Sequence, residues 1–343
     1  MIITNLFNLP QPLVSAMMFD DYSRGDAAAS VTQIISAPRL EILRRKHDDE
    51  ITIDITELIF LLLGKGVHKL LEGFGDFENI PEERLFHEYA GWRISGQIDV
   101  QVVSKNQVCL IDWKVCSTYA VQSQKSDWEN QLNVYADLIE KCTDYKVVGV
   151  HIVAILRDWR KAMAQTRKDY PQAQAVRIPY RIWPPDVRQA YIEERVRLHQ
   201  DVRALDEWGD DLPECSMEER WQRPPDYAVY SVTPTKYALK KKDAMRAHIV
   251  SESREELDEK VKDDPELIVE VRPGAESKNA VAVKDNEADA KAFGEKLGKD
   301  FIIRARDHKP IRCVDWCSVN KWCDQYHRWV AENGESENGD EEG

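Results

Sequence analysis

The stretch Val108-Cys-Leu-Ile-Asp-Trp-Lys-Val115 is a β-type run, apolar and β-branched except at two positions. Strand alternation sets Asp112 and Lys114 on one face and Cys109, Ile111 and Trp113 on the other. A carboxylate and an ammonium therefore share one surface of a sheet. The preceding apolar run, Trp92 to Val103, carries Asp99 within Gly96-Gln-Ile-Asp99, and the polar Ser104-Lys-Asn-Gln107 reads as a hairpin turn. That turn brings Asp99 beside Asp112, so two acids and a lysine converge. Downstream, a helix starting near Ser126 places Gln131 and Tyr135 at i and i+4 on one side.

Oxygen ligands of this kind hold a hard divalent cation, and phosphodiester hydrolysis asks for such a cation, a polarised water and positive charge where the transition state turns negative. Asp99 and Asp112 are the candidate ligands for Mg²⁺ or Mn²⁺. Lys114 is placed to orient or deprotonate the attacking water, or to neutralise the phosphate.

In this order the residues resemble the PD-(D/E)xK nuclease superfamily, in its RecB-like exonuclease branch, whose pattern is a helix-borne His, a strand Glu, Gly-x-x-Asp, Asp-x-Lys and Gln-x-x-x-Tyr. His68 follows Gly64-Lys-Gly66-Val on the helical run Thr56 to Leu71, and Glu88 lies in the strand-like Leu85-Phe-His-Glu-Tyr89. The resemblance implies His68, Asp99 and Asp112 as metal ligands, Glu88, Asp99, Asp112 and Lys114 as catalytic residues, and Gln131 and Tyr135 along the DNA path. It implies a restriction-endonuclease-like α/β fold, a mixed sheet flanked by helices. It is strong from His68 to Tyr135 and looser over Ser30 to Arg44 and the C-terminal cysteines.

Composition bounds this expectation. The chain has 343 residues, 43% of them apolar, and no apolar run near the length of a membrane span. Met1 to Pro10 lacks the basic start and long apolar centre of an export signal, so a cytoplasmic protein is expected, in the host cytoplasm if phage-encoded. A formal charge of −14 is unusual for a DNA-binding enzyme, but the segment Glu332 to Glu342 alone holds six acids and no base. Arg157, Arg160, Lys161, Arg167, Lys168, Arg177 and Arg181 form either a phosphate track with Trp159 and Tyr170 as stacking rings or a solvated basic surface.

The expected organisation is an N-terminal arm (1–29), a nuclease core (30–210), a small α+β accessory segment (211–309), a cysteine-rich staple (310–330) and an acidic disordered tail (331–343). Ser30 caps Val-Thr-Gln-Ile-Ile, Pro38 opens the next helix, Lys146 to Leu156 reads as a buried strand, and Asp186 to Trp208 as a long helix. In the accessory segment, strand Ala247 to Ser251, helix Glu252 to Lys262 and strand Leu267 to Arg272 are echoed about thirty-three residues later by Val281 to Lys284, Glu287 to Leu297 and Phe301 to Arg306. Pro273-Gly274 is the expected joint between two β-α-β units.

The cysteines carry a second expectation. Cys313, Cys317 and Cys323 lie close together and suit a metal centre that needs one more ligand. Iron–sulfur members of the resembled branch use three C-terminal cysteines and an N-terminal one before a proline, where this chain has Ala37-Pro38. Cys215 is then the candidate fourth ligand, for either a [4Fe-4S] cluster or zinc, and buried thiols are the plain alternative. Two function classes follow: a metal-dependent nuclease on single-stranded DNA or duplex ends in recombination, repair or phage DNA processing, working beside a recombination or replication protein; or a DNA-binding or assembly protein on the same fold with little cleavage. The first is preferred because Asp99, Asp112 and Lys114 are all present.

Overall fold

A computed structural model of the chain describes every residue except 20–22, 77, 123–125, 210, 243, 245, 263, 265, 273, 279 and 334–343. Most of the expected acidic tail lies outside the described residues. The chain divides into two units, one formed by Met1–Arg220 with Trp316–Gly343 and the other by Trp221–Asp315. The second starts and ends later than the expected accessory segment, and the C-terminal stretch returns to the first unit.

The first unit runs β1 (Ile2–Thr4), α1 (Gln11–Met18), β2 (Ala29–Ser30), α2 (Val31–Ile35), α3 (Pro38–Lys46) and β3 (Thr52–Asp54), then a 3-10 turn (Ile55–Leu58) into α4 (Ile59–Glu72). Strands β4 (Asn79–Tyr89), β5 (Trp92–Ser104) and β6 (Gln107–Cys116) follow, then α5 (Thr118–Gln122), α6 (Ser126–Cys142), β7 (Lys146–Leu156), α7 (Lys161–Thr166), β8 (Ala175–Tyr180) and α8 (Pro185–Trp208). Residues 2–18 are thus not a loose arm. Strand β1 pairs in parallel with β3, and Val14 and Met17 of α1 pack against Ile55. Ser30 caps α2 as expected, its hydroxyl accepting from Gln33 N while the Gln33 side chain accepts from Ser30 N.

The sheet is mixed. Strands β4–β5, β5–β6 and β7–β8 are antiparallel, whereas β6 and β7 run parallel, as a helical crossover requires. The β5–β6 hairpin closes where the sequence places it, Ser104 opposite Gln107. Helices α6 and α8 cover one face, with Leu132, Leu138, Ile192 and Val196 packed on Val150, Ile152 and Ala154. Gly96 lets α6 come close, because a Cβ there would lie 2.6 Å from Leu138 Cδ1. The sheet is therefore mixed and helix-flanked, as the sequence indicates.

The C-terminal stretch, ending in α11 (Asp324–Asn333), is fastened to the first unit by side chains. Gln325 accepts from Cys215 N at 2.9 Å and donates to Cys215 O at 3.0 Å, and Trp322 stacks on His47. Arg39, 4% exposed, donates to Leu212 O and Pro213 O and pairs with Asp324. Arg39→Ala removes a buried guanidinium together with its bonds to two backbone carbonyls and Asp324, so we expect a loss of about 2–4 kcal/mol in urea unfolding, with faster proteolytic release of residues beyond 316.

The second unit runs β9 (Gln222–Arg223), β10 (Asp226–Thr233), β11 (Lys236–Lys241), β12 (Ile249–Ser251), α9 (Arg254–Lys262), β13 (Leu267–Arg272), β14 (Ala275–Glu276), β15 (Ala282–Lys284), α10 (Glu287–Lys296), β16 (Phe301–Arg306) and β17 (Lys309–Pro310). The repeat is present, with one strand more per copy than expected. Strand β11 lies between β12 and β13, and β10 lies between β15 and β16, all antiparallel to the central strand. Registers match residue for residue: Ala228 opposes Val283 and Arg304, and Ala238 opposes Val250 and Glu270. The central strands read Tyr227-Ala-Val and Tyr237-Ala-Leu. Their order makes the copies nested, with the β11 motif inserted between β10 and β15. Of the expected joint, Pro273 lies outside the described residues, and Gly274 N donates to Thr235 Oγ1 at 3.1 Å.

Candidate metal centre

Three acids line up across three neighbouring strands. Asp99 and Asp112 sit one step beyond the Val100–Ile111 pair of the β5–β6 hairpin. Glu82 of β4 falls between the Pro81–Val100 and Glu83–Ile98 pairs, opposite Asp99. Glu82 holds φ at 51°, left-handed for a residue with a side chain, a strain of order 1–3 kcal/mol kept within the site. His68 of α4 stands over the row, its Nδ1 3.2 Å from Glu82 Oε1 and 3.5 Å from Asp99 Oδ1. Among the described residues, His68, Glu82 and Asp99 are the group whose ligand atoms all lie within 4.8 Å of one another. A cavity of about 180 Å³ opens beside them, lined also by Ser30, Thr32, Gln97 and Tyr135.

Each acid is held by specific partners. Asp99 Oδ2 accepts from Trp113 N at 2.7 Å, and Glu82 Oε2 accepts from Gln97 Nε2 at 2.8 Å. Asp112, 1% exposed, is paired with Lys114 Nζ at 2.6 Å. Lys114 also donates to Gln131 Oε1 at 3.1 Å, and Gln131 Nε2 to the Tyr135 hydroxyl at 2.9 Å. The i, i+4 pair of α6 thus braces the lysine.

The electrostatics are those of crowded acids. Burial, followed by the Asp112 charge, pushes the Asp99 carboxyl up to about 7 against the pull of His68, Lys114 and the Trp113 N–H. The Glu82 hydrogen bond raises His68 above the ordinary histidine value, against burial and with help from Asp99 and Asp112. Burial works against the Lys114 charge, but Asp112 and Asp99 together hold it above the usual lysine value. Carboxylates plus one imidazole suit a hard or borderline divalent cation, whose charge would relieve this crowding.

One expected residue is elsewhere. Glu88 is exposed, opposite Arg93 at the far end of β4. Glu82 takes its place, and the signal lay in the turn. Ala90 and Gly91, at φ 47° and 80°, make a two-residue hairpin turn that sets Tyr89 opposite Trp92. Counting equally along both strands from that pair leads from Asp99 to Glu82.

The aromatic residues after β7, and two of the arginines, make local contacts. Trp159 donates its indole N–H to Pro171 O, Tyr170 is buried with its hydroxyl accepting from Arg160 N, and Arg167 pairs with Asp169. Arg157 lies over the Phe60 ring, its guanidinium carbon 3.7 Å from the centroid. Trp159 and Tyr170 are therefore packing residues, not open stacking rings.

Cys215, Cys317 and Cys323 pack into one apolar cluster with Ala37, Leu40, Leu43, Ile51 and Val319, while Cys313 belongs to the second unit. A zinc tetrahedron holds its sulfurs about 3.8 Å apart, given Zn–S near 2.3 Å. Cys215, Cys317 and Cys323 do not form such a set within 4.8 Å.

No family model and no curated protein matches this chain. Among solved structures it is similar to the crystal structure of SSO0001, at 15% identity and a TM-score of 0.37, over 55% of this chain and 82% of that one. No helix among the described residues is long and apolar enough to cross a membrane.

Proposed function

We propose that this protein is a metal-dependent phosphodiesterase acting on DNA, a nuclease of PD-(D/E)xK type. The observation that carries the reading is the row Glu82, Asp99, Asp112 beneath His68, with Lys114 against Asp112. His68, Glu82, Asp99 and Asp112 would hold Mg²⁺ or Mn²⁺, and the imidazole in the set favours manganese. The cation supplies Lewis acidity and an activated water. Lys114, kept charged by its acidic neighbours, neutralises charge building on the phosphate. Gln131 and Tyr135 fix the lysine's position, which explains their spacing without any DNA contact of their own. An exonuclease on single-stranded DNA or duplex ends is the form of this activity that the motif order favours.

The cysteine site enters as a separate proposal, a [4Fe-4S] cluster with zinc as the alternative, supported by Cys215, Cys317 and Cys323 lying in one apolar cluster. Iron and sulfide in anaerobically purified protein test it, and stoichiometric zinc rejects it.

The decisive assay is cleavage of linear, circular and single-stranded DNA with Mg²⁺ or Mn²⁺. Glu82→Gln should lower cleavage by about 10²-fold, the scale of losing one group that stabilises transition-state charge. Glu88→Gln, on the exposed end of the same strand, should leave it unchanged. Equal activity of Glu82→Gln and the unaltered protein rules out this metal centre.

A further inference from the structure

The sheet face turned away from Asp112 and Lys114 carries a second cluster. Cys109 of β6, His151 of β7 and Arg177 of β8 come from three adjacent strands. Cys109 Sγ lies 3.2 Å from His151 Nδ1, and Arg177 Nη2 donates to the same sulfur at 3.3 Å. Arg177 Nη2 is also 3.4 Å from His151 Nδ1, so the three groups form a closed triangle. The cysteine and histidine are half-buried and the arginine is exposed, so the cluster lies at the edge of the solvent.

The backbone makes room for the contact. A Cβ at Gly149 would sit 3.1 Å from Cys109 Sγ and 3.1 Å from His151 Cε1, so a side chain there would push sulfur and imidazole apart. The β6–β7 register shifts between Val108 and Cys109, which sets the sulfur opposite that glycine. Burial and the Arg177 charge lower His151 below its ordinary value, leaving a neutral ring that can accept a proton. A proton acceptor, an anion-holding guanidinium and a thiol are the parts of a reactive cysteine.

We propose that Cys109 is a modification site, a thiol poised to react with peroxides. His151 takes the thiol proton and the sulfur attacks one peroxide oxygen. The S–O bond forms as the O–O bond breaks, and the departing hydroxide takes the proton back and leaves as water. Sulfur is oxidised by two electrons to a sulfenic acid, and the peroxide is reduced by the same two. Arg177 holds the negative charge while it moves from sulfur to the leaving oxygen. The product stays on the sheet face opposite the acidic row and does not fill the cavity beside His68.

Cys142 supplies an internal control. It is more exposed than Cys109, but its thiol donates to Phe86 O and burial keeps it above the ordinary cysteine value. Accessibility alone therefore favours Cys142, and local chemistry favours Cys109. The test treats the folded protein with dilute hydrogen peroxide in the presence of dimedone and measures the adduct on each cysteine by peptide mass spectrometry. Cys109 should be trapped first, about tenfold faster than Cys142, and His151→Gln and Arg177→Gln should each slow it about fivefold or more without altering Cys142. Faster trapping of Cys142 in the unaltered protein overturns the proposal, as does an unchanged Cys109 rate in both variants. The ranking in the unaltered protein decides even if a variant unfolds, which labelling of the buried Cys323 reveals.

Discussion

Asp112→Ala should abolish cleavage, by about 10³-fold or more, while the protein stays folded, because the side chain removed is a metal ligand rather than a packing group. Lys114→Ala should cost about 10²–10³-fold in rate and, unlike Asp112→Ala, about 3–5 kcal/mol in stability, since it leaves a 1%-exposed carboxylate without its cation. The double variant separates the two effects. Removing both charges should recover much of the stability lost in Lys114→Ala but none of the activity. Paired urea titrations and cleavage assays on the three proteins check this, and an active Asp112→Ala protein would end the nuclease reading.

Asp99→Asn should be both inactive and more stable. Asp99 has a folded-state value near 7, raised by burial and by Asp112 from the ordinary 3.8. A carboxyl raised on folding binds its proton more tightly in the native state, so its contribution is present at low pH and is lost as pH climbs from about 4 to 7. His68 is also raised, and its contribution is likewise lost as pH rises through its folded value. Metal-free protein should thus lose stability between pH 4 and 7, by of order 2–4 kcal/mol for Asp99 alone. A neutral amide at this position carries no such penalty, so the variant should melt higher at pH 7 and equally at pH 4. Added Mn²⁺ should raise the unaltered protein's melting temperature most at neutral pH and leave Asp99→Asn nearly unmoved. A variant that melts lower at pH 7, or that still responds fully to Mn²⁺, contradicts this account.

Much of the site is legible in the sequence because it depends on local rules. Alternation fixed the shared face of Asp112 and Lys114, the polar turn fixed the β5–β6 hairpin, and helical spacing joined Gln131 to Tyr135. Glu82 escaped because identifying it requires the register of a second hairpin, and a nearby acid at the plausible strand position, Glu88, is a local decoy. The two stacking rings escaped for a related reason. Charge and aromatic content are visible in a sequence, but Tyr170 and Trp159 spend their polar ends on the backbone of their own loop. The accessory repeat showed its β-α-β halves because their thirty-three-residue offset is regular. It hid the central strands because β10 and β11 are only ten residues apart and belong to different copies.

That nesting makes the inner copy a detachable cassette. The chain leaves β10 at Thr233 and returns at Ala275, and these two residues already face each other, Ala275 N donating to Thr233 Oγ1 at 3.0 Å. Excising 234–274 and splicing the ends with an Asn-Gly turn asks only for a two-residue connection between paired strands. The outer motif keeps its central strand, its helix and both flanks, so the shortened protein should unfold as cooperatively as the whole. The inner motif, expressed with its own ends, carries the same set of parts, and a protein of this design can gain or lose a domain's worth of surface without reopening a single ladder.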